Sequence, residues 1–232
     1  MKNIKLLCVA LTLAIATAAQ ATLFSYDFNV GSAVPDANVV GMKSSQSVDL
    51  GTLTGTTTAE IVNVNVRLNI SGGYNGDLFG YLVLQSADNS TTTAILLNRV
   101  GTTSTDPFGY NTSGFNVTLS GDTTAGYANI HSVSSPVTDG STFYLADGRV
   151  ANPNTVTDAT TPTAGLNVLN GKNANGTWTL YLADFSSGDT STLVSWGLDI
   201  SVVPEPVTWA IIIFGSLLLA VLARRQFRRC SI

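Results

Sequence analysis

The sequence predicts an all-β protein, a jelly-roll-like antiparallel β-sandwich, preceded by a cleaved N-terminal signal peptide and followed by one C-terminal transmembrane helix. Three observations carry the sandwich. Residues 62–70 alternate without a break, with Val62, Val64, Val66, Leu68 and Ile70 on one face and Asn63, Asn65, Arg67 and Asn69 on the other. Between Thr22 and Val203 the acidic residues number 14, of which 13 are Asp and only Glu60 is Glu. Asp competes with the helix backbone for hydrogen bonds and favours turns, so this bias belongs to a chain of strands and loops. No stretch of ten or more residues in this part of the chain shows the i, i+3, i+4, i+7 spacing of an amphipathic helix.

The strands follow in order. The 62–70 strand has one buried and one wet face, as antiparallel sheets do. Ser71-Gly72-Gly73-Tyr74-Asn75-Gly76 is turn-rich. Residues 77–84 then form a strand that is apolar on both faces and hence central. Shorter strands are expected at 95–100, 115–119 and 143–145. The stretch 148–164, rich in Thr, Pro and Asn, reads as a long surface loop. Residues 177–184 place Trp178, Leu180 and Leu182 on one face, and residues 193–202 place Trp196, Leu198 and Ile200 on one face. Together these elements suggest roughly seven to nine strands.

Both ends read as export signals. Lys2 and Lys5, an apolar run over 6–18, and the small-residue site Ala19-Gln20-Ala21 make residues 1–21 a secretory signal peptide, cleaved before Thr22. Residues 22–203 are the exported domain, long enough to bury one core. Residues 204–232 begin with Pro204-Glu205-Pro206. An uncharged apolar run over 207–223 follows, and the 224–232 tail carries Arg224, Arg225, Arg228 and Arg229. As a helix the apolar run is about 26 Å long, at the short end of a membrane span. The arginine cluster places the tail in the cytoplasm and the domain outside.

The triplet, the single hydrophobic helix and the basic tip, in this order, resemble a PEP-CTERM sorting signal. The resemblance implies processing by signal peptidase and then by an exosortase-type membrane transpeptidase, with the product membrane-anchored transiently or permanently and then at the cell surface or outside the cell.

Composition excludes several functions. The 22–203 segment carries five basic residues (Lys43, Arg67, Arg99, Arg149 and Lys172) and a net charge of −9, which argues against nucleic acid as a partner. The two cysteines of the chain, Cys8 and Cys230, lie outside that segment, so no disulfide is expected in it. One histidine, His131, and no cysteine cannot build the usual zinc set. His131 lies in the polar stretch 127–135 with no Gly-x-Ser-x-Gly nearby, and reads as an ordinary surface-loop histidine instead of a catalytic base. The single Glu60 gives little support to a glycosidase pair. Catalytic residues are therefore expected to be none. Trp178 and Trp196 alternate in phase with aliphatic residues and read as core on neighbouring strands, whereas Tyr74, Tyr110 and Tyr127 lie in loops and are candidates for stacking on carbohydrate.

Two segments resemble the P domain, or Homo B domain, of kexin- and furin-like proprotein convertases and of many secreted bacterial proteases. One is Gly76-Asp77-Leu78 continuing through Tyr81-Leu82-Val83-Leu84-Gln85-Ser86. The other runs from Asn175-Gly176-Thr177-Trp178-Thr179-Leu180 to Asp184, through Gly188-Asp189, to Ser195-Trp196-Gly197-Leu198. The turn at Ser71-Gly72-Gly73-Tyr74 lacks the histidine common in that family, and no protease domain is found before the module. The resemblance implies the jelly-roll sandwich. It also raises calcium as a cofactor, since some bacterial P domains bind it, with Asp77 and Asp184 as first ligands and Asp189 next. The competing reading, placed first, is that each of these aspartates caps a turn. The expected function is a non-catalytic cell-surface or matrix module that binds extracellular polysaccharide or protein. The alternatives are a detached P domain that binds or stabilises a secreted subtilisin-like peptidase, and a permanent single-pass membrane-anchored module.

Overall fold

The computed structural model describes residues 21–51, 59–136, 138–204 and 214–217. Among the described residues, nine strands make two facing sheets: β1 (Thr22–Ala33), β2 (Asn38–Val48), β3 (Ala59–Gly72), β4 (Leu78–Ser86), β5 (Thr91–Asn98), β6 (Phe115–Ser120), β7 (Phe143–Leu145), β8 (Gly176–Asp184) and β9 (Ser191–Pro204). One sheet runs β1-β9-β3-β6-β7 and the other β2-β8-β4-β5. Without the short β7, the first and last strands pair in one sheet and the second and second-to-last in the other. This is the double-sheet jelly roll. Among the named strands, pairing is antiparallel except between β6 and β7, which are parallel. Short 3-10 turns at Asn75–Asp77, Ile130–Ser132 and Leu166–Leu169 are the other regular elements of this part of the chain.

The inner faces follow from alternation. Val64, Val66, Leu68 and Ile70 of β3 and Leu78, Leu82 and Leu84 of β4 are fully buried in one continuous core, with Leu180 and Leu182 of β8 and Leu198 and Ile200 of β9. Val62 departs from the expected face. A register shift between Ile61 and Asn63 turns it outward to 43% exposure and gives the inward place to Ile61. β4 is central as expected, between β8 and β5. Asp77 lies in the 3-10 turn ahead of that strand instead of within it.

Trp178 and Trp196 are buried, as alternation predicts. They are not on neighbouring strands, however: β8 and β9 follow one another in sequence but lie in opposite sheets. Each indole N–H finds an acceptor within the fold. Trp178 Nε1 donates to the Ala174 carbonyl at 3.0 Å and Trp196 Nε1 to Ser44 Oγ of β2 at 3.0 Å. β1 and β2 are additional to the strands expected from sequence.

The export signals expected at the two ends fall mostly outside the described residues. Ala19, Glu205, Pro206, Arg224, Arg225, Arg228 and Arg229 are among these. Ala21 is exposed just ahead of β1, and Pro204 closes β9 opposite Ala59. Of the 207–223 run, residues 214–217 are described, as one helical turn. No helix among the described residues is long and apolar enough to cross a membrane.

Candidate functional site

The chemistry-bearing residues gather at the end of the sandwich where β4 begins and β8 ends. Leu78 and Asp184 are register partners there. The 3-10 turn before β4 carries Asp77, whose carbonyl accepts from the Phe185 N–H at 2.9 Å, so the two aspartates are held on adjacent backbone. Asp184 is buried. Its Oδ1 accepts from the Ser186 N–H at 3.1 Å, and its Oδ2 has no partner. Burial pushes its carboxyl up to about 6. The Ser186 bond opposes this, whereas the like charges of Asp77 and Asp36 add to it. Burial likewise raises Asp77, against hydrogen bonding to Ser186 and the nearby Arg99.

Arg99 sits behind Asp77. Its Nε donates to the Gly76 carbonyl at 3.0 Å and its guanidinium meets Asp77 Oδ1 at 3.4 Å. Arg99 holds φ +48, a left-handed conformation uncommon outside glycine, which turns the chain sharply out of β5. Asp189 is exposed in the β8–β9 turn and acts on Asp77 only through space, raising its carboxyl. The three aspartates named from sequence therefore do share one end of the molecule. Among the described residues, no group of three His, Cys, Asp or Glu stands close enough to hold a metal ion. Asp184 accepts a backbone N–H from Ser186, as a turn cap does, whereas Asp77 is held by an ion pair with Arg99.

His131 is the clear correction. It is 1% exposed, not a surface-loop residue. Its Nδ1 lies 2.8 Å from Asp147 Oδ2 and its Nε2 3.1 Å from the Thr102 carbonyl. Asp147 also accepts the Asn98 N–H at 3.0 Å and the Arg149 N–H and Nη1 at 3.2 and 3.1 Å. Arg149 continues to Asn129 Oδ1 at 3.0 Å, and the Asn129 amide returns two bonds to the Ala146 and Asp147 carbonyls. The 148–164 stretch is thus an irregular loop, as expected, but its start at Gly148 and Arg149 and its Val156 are buried instead of lying on the surface. A carboxylate between an imidazole and a guanidinium, with every oxygen bonded, locks three loops to the edge of β5. Both ring nitrogens face acceptors of the fold, and the side chain is closed off from solvent.

Arg99, Asp147 and Arg149 are absent from the residues singled out by sequence. A signal existed: Arg99 and Arg149 are two of the five basic residues of the 22–203 segment, and Arg99 follows directly on the buried run Ala94 to Asn98. The loop tyrosines are spent on packing. Tyr127 stacks on Phe143 with centroids 5.4 Å apart, and Tyr74 donates to the Gly109 carbonyl at 3.3 Å. Tyr110 occupies the space that a side chain at Gly101 would need.

Against known proteins, the family model of the proprotein convertase P-domain matches residues 129–200. The match takes in β7, β8 and β9 and the His131, Asp147 and Arg149 network, and covers less than half of the chain. No curated protein matches. Among solved structures, the serine protease of Aeromonas sobria in complex with its chaperone is similar at 16% identity and TM-score 0.42, over 84% of this chain and 30% of that one. The same protease alone is similar at 17% identity and TM-score 0.41, over 83% and 29%. The chain thus spans under a third of the length of these proteins.

Proposed function

We propose that this protein is a non-catalytic exported module with a P-domain-like sandwich, sorted by a PEP-CTERM signal to the cell surface or the extracellular matrix, where it binds polysaccharide or protein. The observation that carries the binding role is the use the fold makes of its reactive groups. The one histidine of the sequence and the carboxylate beside it are sealed at 0% side-chain exposure in a structural network. The export reading rests on sequence: the small-residue site at Ala19 and Ala21, the Pro204-Glu205-Pro206 triplet, the 207–223 run and the arginines behind it. Signal peptidase and an exosortase-type transpeptidase are its processing partners, and the membrane holds the precursor through the C-terminal helix. β1 begins at Thr22, directly after the cleavage site, which supports that boundary.

Intact mass of the protein from its native host tests the sorting step. A mature species lacking Arg224 to Arg229 is expected, together with an uncut membrane-bound precursor when Pro204-Glu205-Pro206 is replaced by three alanines. A mature species that still contains Arg228 and Arg229 leaves a permanent single-pass anchor in place of a sorting signal.

A second reading has its own support in the match of residues 129–200 to the convertase P-domain: a detached P domain that binds or stabilises a secreted subtilisin-like peptidase. Co-purification with such a peptidase, and loss of that peptidase's activity when the module is deleted, would favour it. Calcium at Asp77 and Asp184, with Asp189 at the rim, is the corresponding cofactor proposal. Millimolar Ca²⁺ would then raise the melting temperature of the wild type but not of Asp184→Asn.

A further inference from the structure

Two cavities open away from the aspartate end. They flank the loop that follows β6. One is about 290 Å³, with Leu145, Ala146 and Leu166 as an apolar floor under Ser120, Asn129 and Asn167. The second, about 270 Å³, is lined by Asn63, Asp122, Thr124 and Asn170. Thr123 borders both, so the two lobes adjoin at that side chain. Each approaches the lower end of the size range of small-molecule sites, about 300 Å³.

The lining defines the ligand chemistry. Neither lobe has a basic residue, so nothing there neutralises a phosphate, a sulfate or a uronic acid. The single ionisable group, Asp122, already accepts from Thr124 twice, from the N–H at 2.9 Å and from Oγ1 at 2.6 Å. These bonds hold its carboxyl below the usual range and fix the loop before any ligand arrives. The remaining polar groups are amides and hydroxyls, which both donate and accept, above a floor of aliphatic carbon. One acceptor is unspent. Asn63 Oδ1 on the outer face of β3 is shielded from solvent and has no partner, although its amide nitrogen donates to Asn65 at 3.2 Å. A Cβ on Gly121 would stand 2.9 Å from that oxygen, so the missing side chain is what lets the amide lie along the wall.

We infer that this cleft binds an uncharged oligosaccharide, with two consecutive sugar rings in the two lobes and Thr123 between them. A sugar ring offers hydroxyls to Asn63, Asn129, Asn167 and Ser120 and an apolar C–H face to Leu145 and Leu166. An unpartnered buried acceptor is unfavourable in the free protein, and a rotation of the Asn63 side chain toward the cleft lets a ligand hydroxyl satisfy it on binding. This deepens the proposed function, since it rests on the chain being an exported binding module, and it places the binding surface on residues other than the loop tyrosines.

The test uses the full chain in detergent micelles, titrated calorimetrically with maltohexaose, cellohexaose, hexameric N-acetylglucosamine and, as the charged control, hexagalacturonate. At least one neutral hexamer is expected to bind and the galacturonate not to. Thr123→Trp, a filling change on an exposed loop, and Asn63→Ala should each weaken binding at least tenfold. Asn63→Ala should also leave the melting temperature unchanged or higher, because the buried acceptor it deletes has no partner and outweighs the single amide bond to Asn65 lost with it; a residue kept for structure alone would lower it. Asn167→Ala, on an exposed position, should weaken binding with no change in melting. Neutral binding that is equal in wild type and all three variants overturns the cleft while sparing the module reading. Binding of hexagalacturonate alone overturns the charge argument. No saccharide bound, with a protein partner captured instead, overturns the ligand class.

Discussion

At the scale of single residues, the two core tryptophans make the firmest prediction. Trp178→Ala and Trp196→Ala each remove a side chain at 0–2% exposure, together with an internal hydrogen bond. Each should cost about 3–5 kcal/mol in denaturant unfolding. Asp184 predicts a pH dependence. Its carboxyl titrates at about 6 in the fold, above the unfolded value near 4, so the native state holds the proton more tightly. The stability it contributes is present at acid pH and is lost as pH rises from about 4 to about 6. Melting temperatures from pH 4 to 8 should fall along that window in wild type and less in Asp184→Asn, which keeps the Oδ1 acceptor for Ser186. The difference should be about 2–3 kcal/mol at pH 7. Some residues declared themselves in sequence and others did not. Trp178 and Trp196 are visible because their burial follows from their own strand's alternation. His131 is not: its neighbours are polar, and its burial is set by Asp147, 16 positions later, and Thr102, 29 positions earlier.

At the scale of elements, the long strands were legible and the edges were not. β3, β4, β8 and β9 alternate strongly because one face meets the other sheet. β2 does not, since its inward positions include Ser44 and Gln46, and Ser44 faces the core as the acceptor for an indole instead of as an apolar residue. β1 did carry a signal, with Phe24, Tyr26, Phe28 and Val30 alternating against Ser25, Asp27 and Asn29; these aromatics are only partly buried because β1 is a sheet edge. Arg67 of β3 ties that edge down by reaching Asp199 of β9 and Asp27 of β1, a cross-strand link that no local pattern announces. The β2 edge depends on a glycine. Gly41 holds φ +59 at the bulge between Asn38 and Met42, and a Cβ there would stand 2.2 Å from the Leu182 carbonyl. Gly41→Ala should therefore destabilise the protein by about 1–3 kcal/mol beyond its backbone strain and speed hydrogen exchange along β2. Gly31, at φ +63 in the β1 bulge with open space around it, is the control. Gly31→Ala should cost only the left-handed penalty, about 1–2 kcal/mol.

At the scale of the whole molecule, one core joins both sheets, so the fragment 22–203 should fold alone. A soluble product with a β-type far-UV circular dichroism spectrum and a single cooperative melt is expected; substantial helix or insolubility without the tail would reject the domain boundaries. The register of β9 has a mechanical consequence. Val202 lies beside Thr22 on one side, Ala59 faces Pro204 on the other, and β9 is flanked along its length by β1 and β3. Tension pulled between the two ends of the domain would peel β1 from β9 one rung at a time, at low force. Tension between Pro204 and a cargo gripped elsewhere on the sandwich runs lengthwise down β9 and must shear both flanking ladders at once. A domain tugged from its C-terminal side by whatever it holds is loaded in its strong direction.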